Sequence, residues 1–384
     1  MENPERQLRA LALRLDGWLR DSALTLWWEH GADHAKGGFH ELLGLDGLPP
    51  LGQKRRARVQ ARQSYVYATA GTLGWTGPWR EAAPYGLAFL NRHYRRADGQ
   101  YCTLVSQGGA VLDDTAMFYD QAFVLLARAA LAKVSPDRAE LVKAAHEHFA
   151  LIEKLRRHPA GGFSETGERP FQSNPHMHLL EAALAWCEVE PQGMWNALAD
   201  EIVALCRTKF IDPEGGFLRE FFDAQWRPLA GEPGHIVEPG HQFEWCWLLE
   251  RWGRLRGDDG ARAAARRLFA AGLRGVDPVR EAALDELSDG FAVTRAGARL
   301  WPQTERAKAA LILAETAKGE MRELYLSEAG KAAASLWRYL ETDVAGLWRD
   351  KQRTDGSFVE EPAPASSFYH IICCIVSLKQ ALGV

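Results

Sequence analysis

Long apolar runs are missing from this chain of 384 residues. No apolar stretch reaches the roughly 18 residues a membrane helix needs, so no membrane span is expected. The first segment, MENPERQLRALALRLDGW, carries charge throughout and has no signal-peptide apolar centre, and a cytoplasmic location is expected. Cysteine is scarce. The six present form no Cys-x-x-Cys pair, and Cys373–Cys374 sit side by side in an apolar helical pattern. That excludes a disulfide scaffold and fits free, buried thiols in a reducing compartment. An excess of one charge is also lacking: 46 Lys and Arg face 50 Asp and Glu, a net charge of −4. No basic footprint calls for nucleic acid. Low-complexity linkers are absent, so residues 1–384 read as one domain, although length alone suggests two or three. Sustained alternation of period two is missing outside short glycine-rich elements, so little strand is expected.

What is present is apolar and repetitive. Hydrophobic residues make up 47% of the chain, ample for a core. A glycine–aromatic element recurs at Gly37-Gly38-Phe39, Asp98-Gly99-Gln100-Tyr101, Gly161-Gly162-Phe163, Gly215-Gly216-Phe217, Asp289-Gly290-Phe291 and Gly346-Leu347-Trp348. These mark six degenerate units of one supersecondary motif, and the elements themselves read as hairpin turns. Helical periodicity fills the units at 5–30, 59–75, 78–95, 113–132, 137–157, 173–188, 192–210, 238–255, 258–275, 302–317, 319–341 and 366–381. Breakers such as Gly77-Pro78, Ser135-Pro136-Asp137 and Gly257-Asp258-Asp259-Gly260 separate them. The even-numbered helices are apolar nearly all round, as in Phe243-Glu244-Trp245-Cys246-Trp247-Leu248-Leu249, whereas the odd ones are charged and amphipathic. Six inner and six outer helices joined by short β-hairpin-like connections form an all-α (α/α)6 barrel. An open solenoid is the alternative.

Polar residues that do not suit a buried helix cluster at the start of every even helix: Arg58, Gln60, Arg62 and Gln63; Asp113, Asp114 and Tyr119; Asn174, His176, His178 and Glu181; Glu238, His241, Gln242 and Glu244; Trp301, Gln303, Glu305 and Arg306; Ser366, Ser367, Tyr369 and His370. Parallel inner helices bring these starts, and six positive dipole ends, to one mouth. A mouth of positive potential, rich in histidine, suits proton transfer and charge developing on oxygen. The dipole ends should hold a histidine neutral and basic. Fourteen tryptophans, Trp301 among them, offer faces that match the C–H faces of sugars. With no glycine-rich phosphate loop, a neutral, unphosphorylated polyol is favoured over a nucleotide or sugar phosphate.

Asn174-Pro175-His176-Met177-His178-Leu179-Leu180-Glu181-Ala182, Gly240-His241-Gln242-Phe243-Glu244-Trp245 and Arg299-Leu300-Trp301-Pro302-Gln303-Thr304-Glu305 resemble signatures of the N-acylglucosamine 2-epimerase superfamily. Gln60-Ala61-Arg62 resembles its first inner helix and Ser367-Phe368-Tyr369-His370 its last, so the resemblance spans the chain. It is strongest to the aldose–ketose isomerase branch, the D-mannose isomerases. The resemblance implies an (α/α)6 barrel and chemistry with no cofactor and no metal. It makes His241 and His370 the general acid/base pair. Arg62 sits at the sugar O1/O2 edge, Asn174 and His178 contact the sugar, and Glu244 binds substrate or orients His241. Trp301, Gln303, Glu305 and Asp114 complete the candidate substrate-binding set. The implied reaction interconverts D-mannose and D-fructose, or D-lyxose and D-xylulose, through a cis-enediol(ate), with the chain acting as a monomer or homodimer.

Other readings attach to single residues. His176 faces away from His178 and suits a structural role. Asp113-Asp114 fits a helix cap, and Glu305 fits a pair with Arg306 or Arg62. Returning the proton to C2 from the other face would make a sugar 2-epimerase. A glycoside hydrolase would need two opposed carboxylates, Asp113 or Asp114 with Glu244. A non-catalytic scaffold would spread its polar residues over one face instead of one mouth.

Overall fold

The computed structural model describes residues 4–384. Among them twelve helices follow in six hairpins: α1 (Pro4–Trp18, continuing through a π-turn at Leu19–Ala23 into Leu24–Glu29), α2 (Ala57–Thr72), α3 (Trp79–His93), α4 (Phe118–Ala132), α5 (Arg138–Arg156), α6 (Ser173–Val189), α7 (Trp195–Leu205, ending in a π-turn), α8 (Pro239–Arg256), α9 (Asp259–Leu273), α10 (Leu300–Thr316), α11 (Gly319–Leu340) and α12 (Ser366–Leu382). The even helices pack side by side, and α12 meets α2 as well as α10, so the ring closes and the solenoid alternative falls. The odd helices form an outer layer, each against an inner neighbour. This is the (α/α)6 barrel. No helix among the described residues is long and apolar enough to cross a membrane.

Three forces shape each hairpin. Inner helices such as α4 and α12 are buried on almost every face, which their apolar composition allows. Helix ends are set by local chemistry: Gly257 takes a left-handed turn at φ 67° to end α8, and Asp258 then caps α9 by accepting from the Ala261 N–H at 2.7 Å. The third force repeats around the ring. Gln60, Gln121, Gln242 and Gln303, each in the first turn of its inner helix, clamp Phe39, Tyr101, Leu218 and Ala283. Each side-chain amide accepts from the backbone N–H and donates to the backbone C=O, at 2.7–3.0 Å. His176 replaces the amide in α6, accepting from the Phe163 N–H at 2.9 Å. In the last unit Phe368 packs on Trp348 instead. Buried backbone groups must find partners, and this clamp supplies them while fixing each connection to its inner helix. The glycines before the clamped residue leave room: a Cβ on Gly38 would lie 2.8 Å from the Gln60 oxygen, and one on Gly162 2.7 Å from His176 Nε2.

The connections carry five small antiparallel sheets. One pairs Leu42–Leu43 with Ala363–Pro364 and so ties the first unit to the last. Two sequence readings are corrected here. The fourth helix, α4, starts at Phe118, not 113, because Val111–Asp113 pairs as a strand with Leu104–Val105. The fifth clamped turn is Ala283, on the hairpin of Val276–Asp277 with Ala282–Ala283, while Gly290-Phe291 only turns between Glu286–Ser288 and Val293–Arg295.

Candidate active site

The clamps put a fixed register on the six inner helices, and the barrel axis fills in layers. The ring two residues beyond the clamp is Arg62, Phe123, His178, Glu244, Glu305 and His370. All but Phe123 are polar, and all six are buried. Adjacent members touch. Arg62 lies over the Phe123 ring at 4.1 Å and donates to Tyr119 Oη at 2.7 Å and to the Ser366 carbonyl at 3.2 Å. His178 Nδ1 lies 3.4 Å from Glu181 and 3.8 Å from Glu244. His370 Nδ1 lies 2.9 Å from Glu305 Oε1, and Glu305 Oε2 takes the Lys308 ammonium at 2.7 Å. Tyr369 donates to Glu181.

His241 enters one turn nearer the mouth. Its Nδ1 is 2.9 Å from Glu220 Oε2 and 3.9 Å from Glu238. Its ring lies 5.2 Å from the Trp301 ring, and Trp301 lies 5.6 Å from His370. One half-buried indole therefore spans the gap between the two histidines. Gly240 permits this, since a Cβ there would fall 2.4 Å from the indole.

The two histidines are driven apart electrostatically. Burial lowers the pKa of both. At His241, however, the Glu220 and Glu238 carboxylates win and lift it to about 9. At His370 burial dominates, helped by the Arg62 and Lys308 cations, and the pKa falls to about 4 despite Glu305. At neutral pH His241 is an imidazolium and His370 a neutral imidazole. His178 also falls to about 4, through burial. Glu305 is buried, which works against its charge, yet Lys308 and His370 hold it at about 2. Burial, with Glu305 beside it, pushes Glu244 well above the carboxylate range.

A second repeat surrounds the mouth. Two residues after each clamped position stand Glu41, Thr103, Glu165, Glu220, Asp285 and Asp350. Glu41 accepts from the Arg56 N–H at 3.0 Å, Glu165 from Phe118 and Tyr119 N–H at 2.6 and 2.9 Å, and Asp285 from the Arg299 N–H at 3.1 Å. Glu220 and Asp350 accept from the hydroxyls of Ser173 and Ser367. These carboxylates sit on the positive helix ends and cancel much of their potential. The mouth is thus not the uniformly positive funnel that dipoles alone predict, and the neutral histidine expected there is His370 but not His241.

Carboxylates and imidazoles also meet in two triads: His178, Glu181 and Glu244, and Glu244, Glu305 and His370, each with one ligand atom per residue within 4.8 Å of the others. The sequence showed no such set of well-spaced metal ligands. In the fold, Glu305 spends its oxygens on His370 and Lys308, and Glu181 is held by Tyr369. Glu244 Oε1 alone among the carboxylates of the two triads is buried without a hydrogen-bond partner.

The N-acylglucosamine 2-epimerase (GlcNAc 2-epimerase) sequence family matches residues 37–374. The chain belongs to this family. It is 50% identical over 374 residues, 96% of each chain, to the mannose-6-phosphate isomerase of Rhizobium meliloti strain 1021. Its fold superposes with a TM-score of 0.88 on cellobiose 2-epimerase from Spirochaeta thermophila DSM 6192, at 21% identity over 100% of this chain and 99% of that one. Against a D-mannose isomerase crystal structure the TM-score is 0.86, at 18% identity over 96% and 97% of the two chains. The chain is therefore a sugar isomerase or epimerase of the N-acylglucosamine 2-epimerase family.

Within this family member the predicted site residues divide. Arg62, His178, Glu244, Glu305 and His370 share one ring, with His241 and Trp301 at its rim. Asn174 lies one turn before His178 on the same helix, with its Oδ1 buried and unpartnered. Three expectations fail. Gln303 clamps Ala283 and spends both ends of its amide on backbone. Asp114 is exposed on the loop after the strand and pairs with Arg96 at 2.5 Å, and neither it nor Asp113 caps α4. That exposed pair also deprives the hydrolase reading of a buried partner for Glu244. Finally, Glu305 pairs with His370 and Lys308, not Arg306, whose guanidinium goes to Glu328 at 2.5 Å. His176 takes the structural role expected. Glu220, the partner of His241 Nδ1, is not among the residues read from the sequence; of the two roles read for Glu244, substrate binding or orienting His241, the orienting contact is made by Glu220. A signal existed: Gly37-Gly38-Phe39-His40-Glu41, Gly161-Gly162-Phe163-Ser164-Glu165 and Gly215-Gly216-Phe217-Leu218-Arg219-Glu220 each carry glutamate just after the glycine–aromatic element.

Proposed function

We propose that this protein is an aldose–ketose isomerase that interconverts D-mannose and D-fructose by proton transfer between histidine and sugar, without a metal or organic cofactor. The observation that carries the reading is that two histidines face one indole, each with its Nδ1 on a different carboxylate, Glu220 or Glu305, in surroundings that push their pKa values in opposite directions, the usual pattern of an acid and a base in one site. Neutral His370 takes the C2 proton of the open-chain aldose. Ionised Glu305 accepts its Nδ1–H, which leaves the lone pair on Nε2. During ring opening charged His241 donates its proton to the ring oxygen as the C1–O5 bond breaks, and takes up the O1–H proton as C1=O forms. The C2–H bond breaks as an enediol(ate) forms, Arg62 balances the charge on O1 and O2, the O2–H proton passes to O1, and His370 returns its proton to C1 as C2=O forms. Trp301 stacks on the sugar, while Asn174, His178 and Glu244 offer buried polar atoms to its hydroxyls.

A neutral sugar fits better than a phosphorylated one, in contrast to the substrate in the name of the Rhizobium relative. Glu220, Glu238, Asp285 and Asp350 stand around the His241 side of the mouth, and Arg299 is already shared between Glu238 and Asp285. A dianionic phosphate there meets these acidic side chains, and the cations beside them, Arg299 and the His241 imidazolium, are already paired with them.

The test is incubation in deuterated water with D-mannose and, separately, D-mannose 6-phosphate, followed by NMR. Fructose labelled at C1, formed from the free sugar and surviving EDTA, is the expected result. Glucose formed at a comparable rate makes the protein a 2-epimerase, and turnover of the phosphate alone overturns the neutral-substrate reading. Loss of activity with EDTA and recovery with manganese or zinc shows that the carboxylate–histidine triads hold a working metal.

A further inference from the structure

Beneath the histidine ring the next layer of the barrel axis is Tyr65, Leu126, Glu181, Trp247, Lys308 and Cys373. Lys308 is its one cation and is fully buried. Its ammonium lies 2.7 Å from Glu305 Oε2 and 4.2 Å from the centre of the Trp247 ring. Glu305 Oε1 in turn lies 2.9 Å from His370 Nδ1. The three groups form a line from the barrel's interior to the mouth. The site's direct contacts with substrate do not require this lysine. A buried ion pair is also no efficient way to fill space, since apolar side chains do so at lower desolvation cost. Its neighbours Leu126 and Trp247 show that the layer accepts such residues.

We propose that Lys308 is a positioning residue for the proton transfer: acting through Glu305, it fixes the tautomer and orientation of His370. The inference rests on the isomerase reading given above, in which His370 is the base. The physical argument is one of proton placement. Glu305 shares the barrel interior with two other buried carboxylates, Glu181 and Glu244. Like charges this close favour protonation, and only a local cation offsets them. Ionised Glu305 accepts from His370 Nδ1–H and leaves Nε2 as the basic nitrogen. A protonated Glu305 donates instead, turns Nδ1 into the acceptor and moves the imidazole proton to Nε2, where it blocks catalysis. The low pKa of Glu305, about 2, agrees with Lys308 winning over burial. The groups facing Lys308 are Glu305 on its own helix, Glu181 on α6, Glu244 on α8 and Cys373 on α12. Those facing His370 are Glu305, Arg62, His178 and Lys308, with the Tyr369 ring 4.8 Å away.

The experiment compares wild type, Lys308→Met, Lys308→Arg, Glu305→Gln and the Glu305→Gln/Lys308→Met double variant. It measures kcat, KM and solvent-deuterium incorporation into the sugar across pH. Lys308→Met is expected to lower kcat by about tenfold or more, with KM within about twofold, because a misplaced proton affects the transition state and not binding. Its acid limb should move up by about one pH unit or more, since both Glu305 and His370 lose a nearby positive charge. Lys308→Arg should return that limb toward wild type. In the Glu305→Gln background, Lys308→Met should add less than about twofold, because residues acting through one another are not additive. An unmoved acid limb in Lys308→Met, or a full further loss in the double variant, overturns the proposal. If Lys308→Met fails to fold, Glu305→Gln against the double variant, which is short of one charge of each sign, decides the matter by the same criterion. Deuterium incorporation reads proton transfer whichever product wild type makes. A wild type that epimerises therefore refutes the isomerase reading and leaves the Lys308 test intact.

Discussion

The two ends of the barrel are lined by the same six helices and differ in how their polar groups are satisfied. At the far end, a cavity of about 620 Å³ runs inward from the helix C-termini and ends on Glu181, Lys308 and Cys373. Its rim cations are paired: Lys133 and Arg251 share Glu188, and Arg254 pairs with Glu250 and Glu315. They also sit where helix dipoles favour positive charge. Among the described residues lining that cavity no buried side-chain polar atom lacks a partner, although Glu250, behind the rim arginines, leaves its Oε2 unpartnered. At the mouth, Arg62 Nε, Asn174 Oδ1, Glu220 Oε1 and Glu244 Oε1 are buried and unpartnered. Leaving such groups unmade costs about 1–3 kcal/mol each, and a fold keeps them where a ligand supplies the missing bonds. The open cavity at the far end is therefore not the better candidate. The proposed chemistry lies at the end where these site groups are left incomplete.

The comparison breaks most sharply at the histidines. His241→Ala and His370→Ala should each lower kcat by about a hundredfold or more, the scale of lost general acid–base catalysis. Both should keep the fold, which circular dichroism checks, because both side chains point at the mouth and neither fills the apolar core. Wild-type turnover in both variants would refute the mechanism whichever sugar is used.

Next in size is Glu220→Gln. With base and acid as assigned, activity rises with pH as His370 loses its proton near 4 and falls as His241 loses its own near 9. Glu220 both faces and hydrogen-bonds His241, so its neutralisation lowers the His241 pKa. The alkaline limb of kcat should move to lower pH by about one unit or more, with the acid limb unchanged. Movement of the acid limb instead would exchange the two roles.

This variant also shows where the sequence was legible. Helix number, the inner and outer sets and the mouth could be read because burial writes itself as apolar residues around the whole helix, as in α8. Arg62, His178, Glu244 and His370 could be read because a polar residue on such a helix is conspicuous. Glu220 lies in a connection, where glutamate is ordinary, and only its recurrence after glycine–aromatic elements marks it. Gln303 misled for the opposite reason. It is polar, buried and next to Trp301, yet its partners are backbone atoms of a turn, and backbone demand leaves no mark in composition. Asp114 misled because a helical period ran back past Phe118 into what is a loop, and the end of a strand, in the fold.

Gln303→Leu therefore sharpens the contrast between a site residue and a scaffold residue. The Ala283 N–H and C=O lose their partners, at about 1–3 kcal/mol each. A lower melting temperature with near-normal KM is expected. A KM rise without loss of stability would restore the substrate-binding role read from the sequence.

The smallest effect is expected at the far end, from Arg251→Ala. Its ion pair with Glu188 spans 2.7 Å, but the Glu188 side chain is 52% exposed and Lys133 also reaches it. Exposed pairs of this kind contribute about 0–1 kcal/mol and are screened by salt. Arg251 also covers the face of Trp247, with a separation of 4.5 Å, and loss of that contact adds a comparable amount. The variant should keep kcat and KM within about twofold and melt slightly earlier, because Trp247 and Lys308 still separate the cavity from the histidine ring. A large fall in kcat from this one half-buried rim arginine would mean that the far cavity takes part in the reaction, and that paired and unpaired polar groups do not mark the inactive and active ends of this barrel.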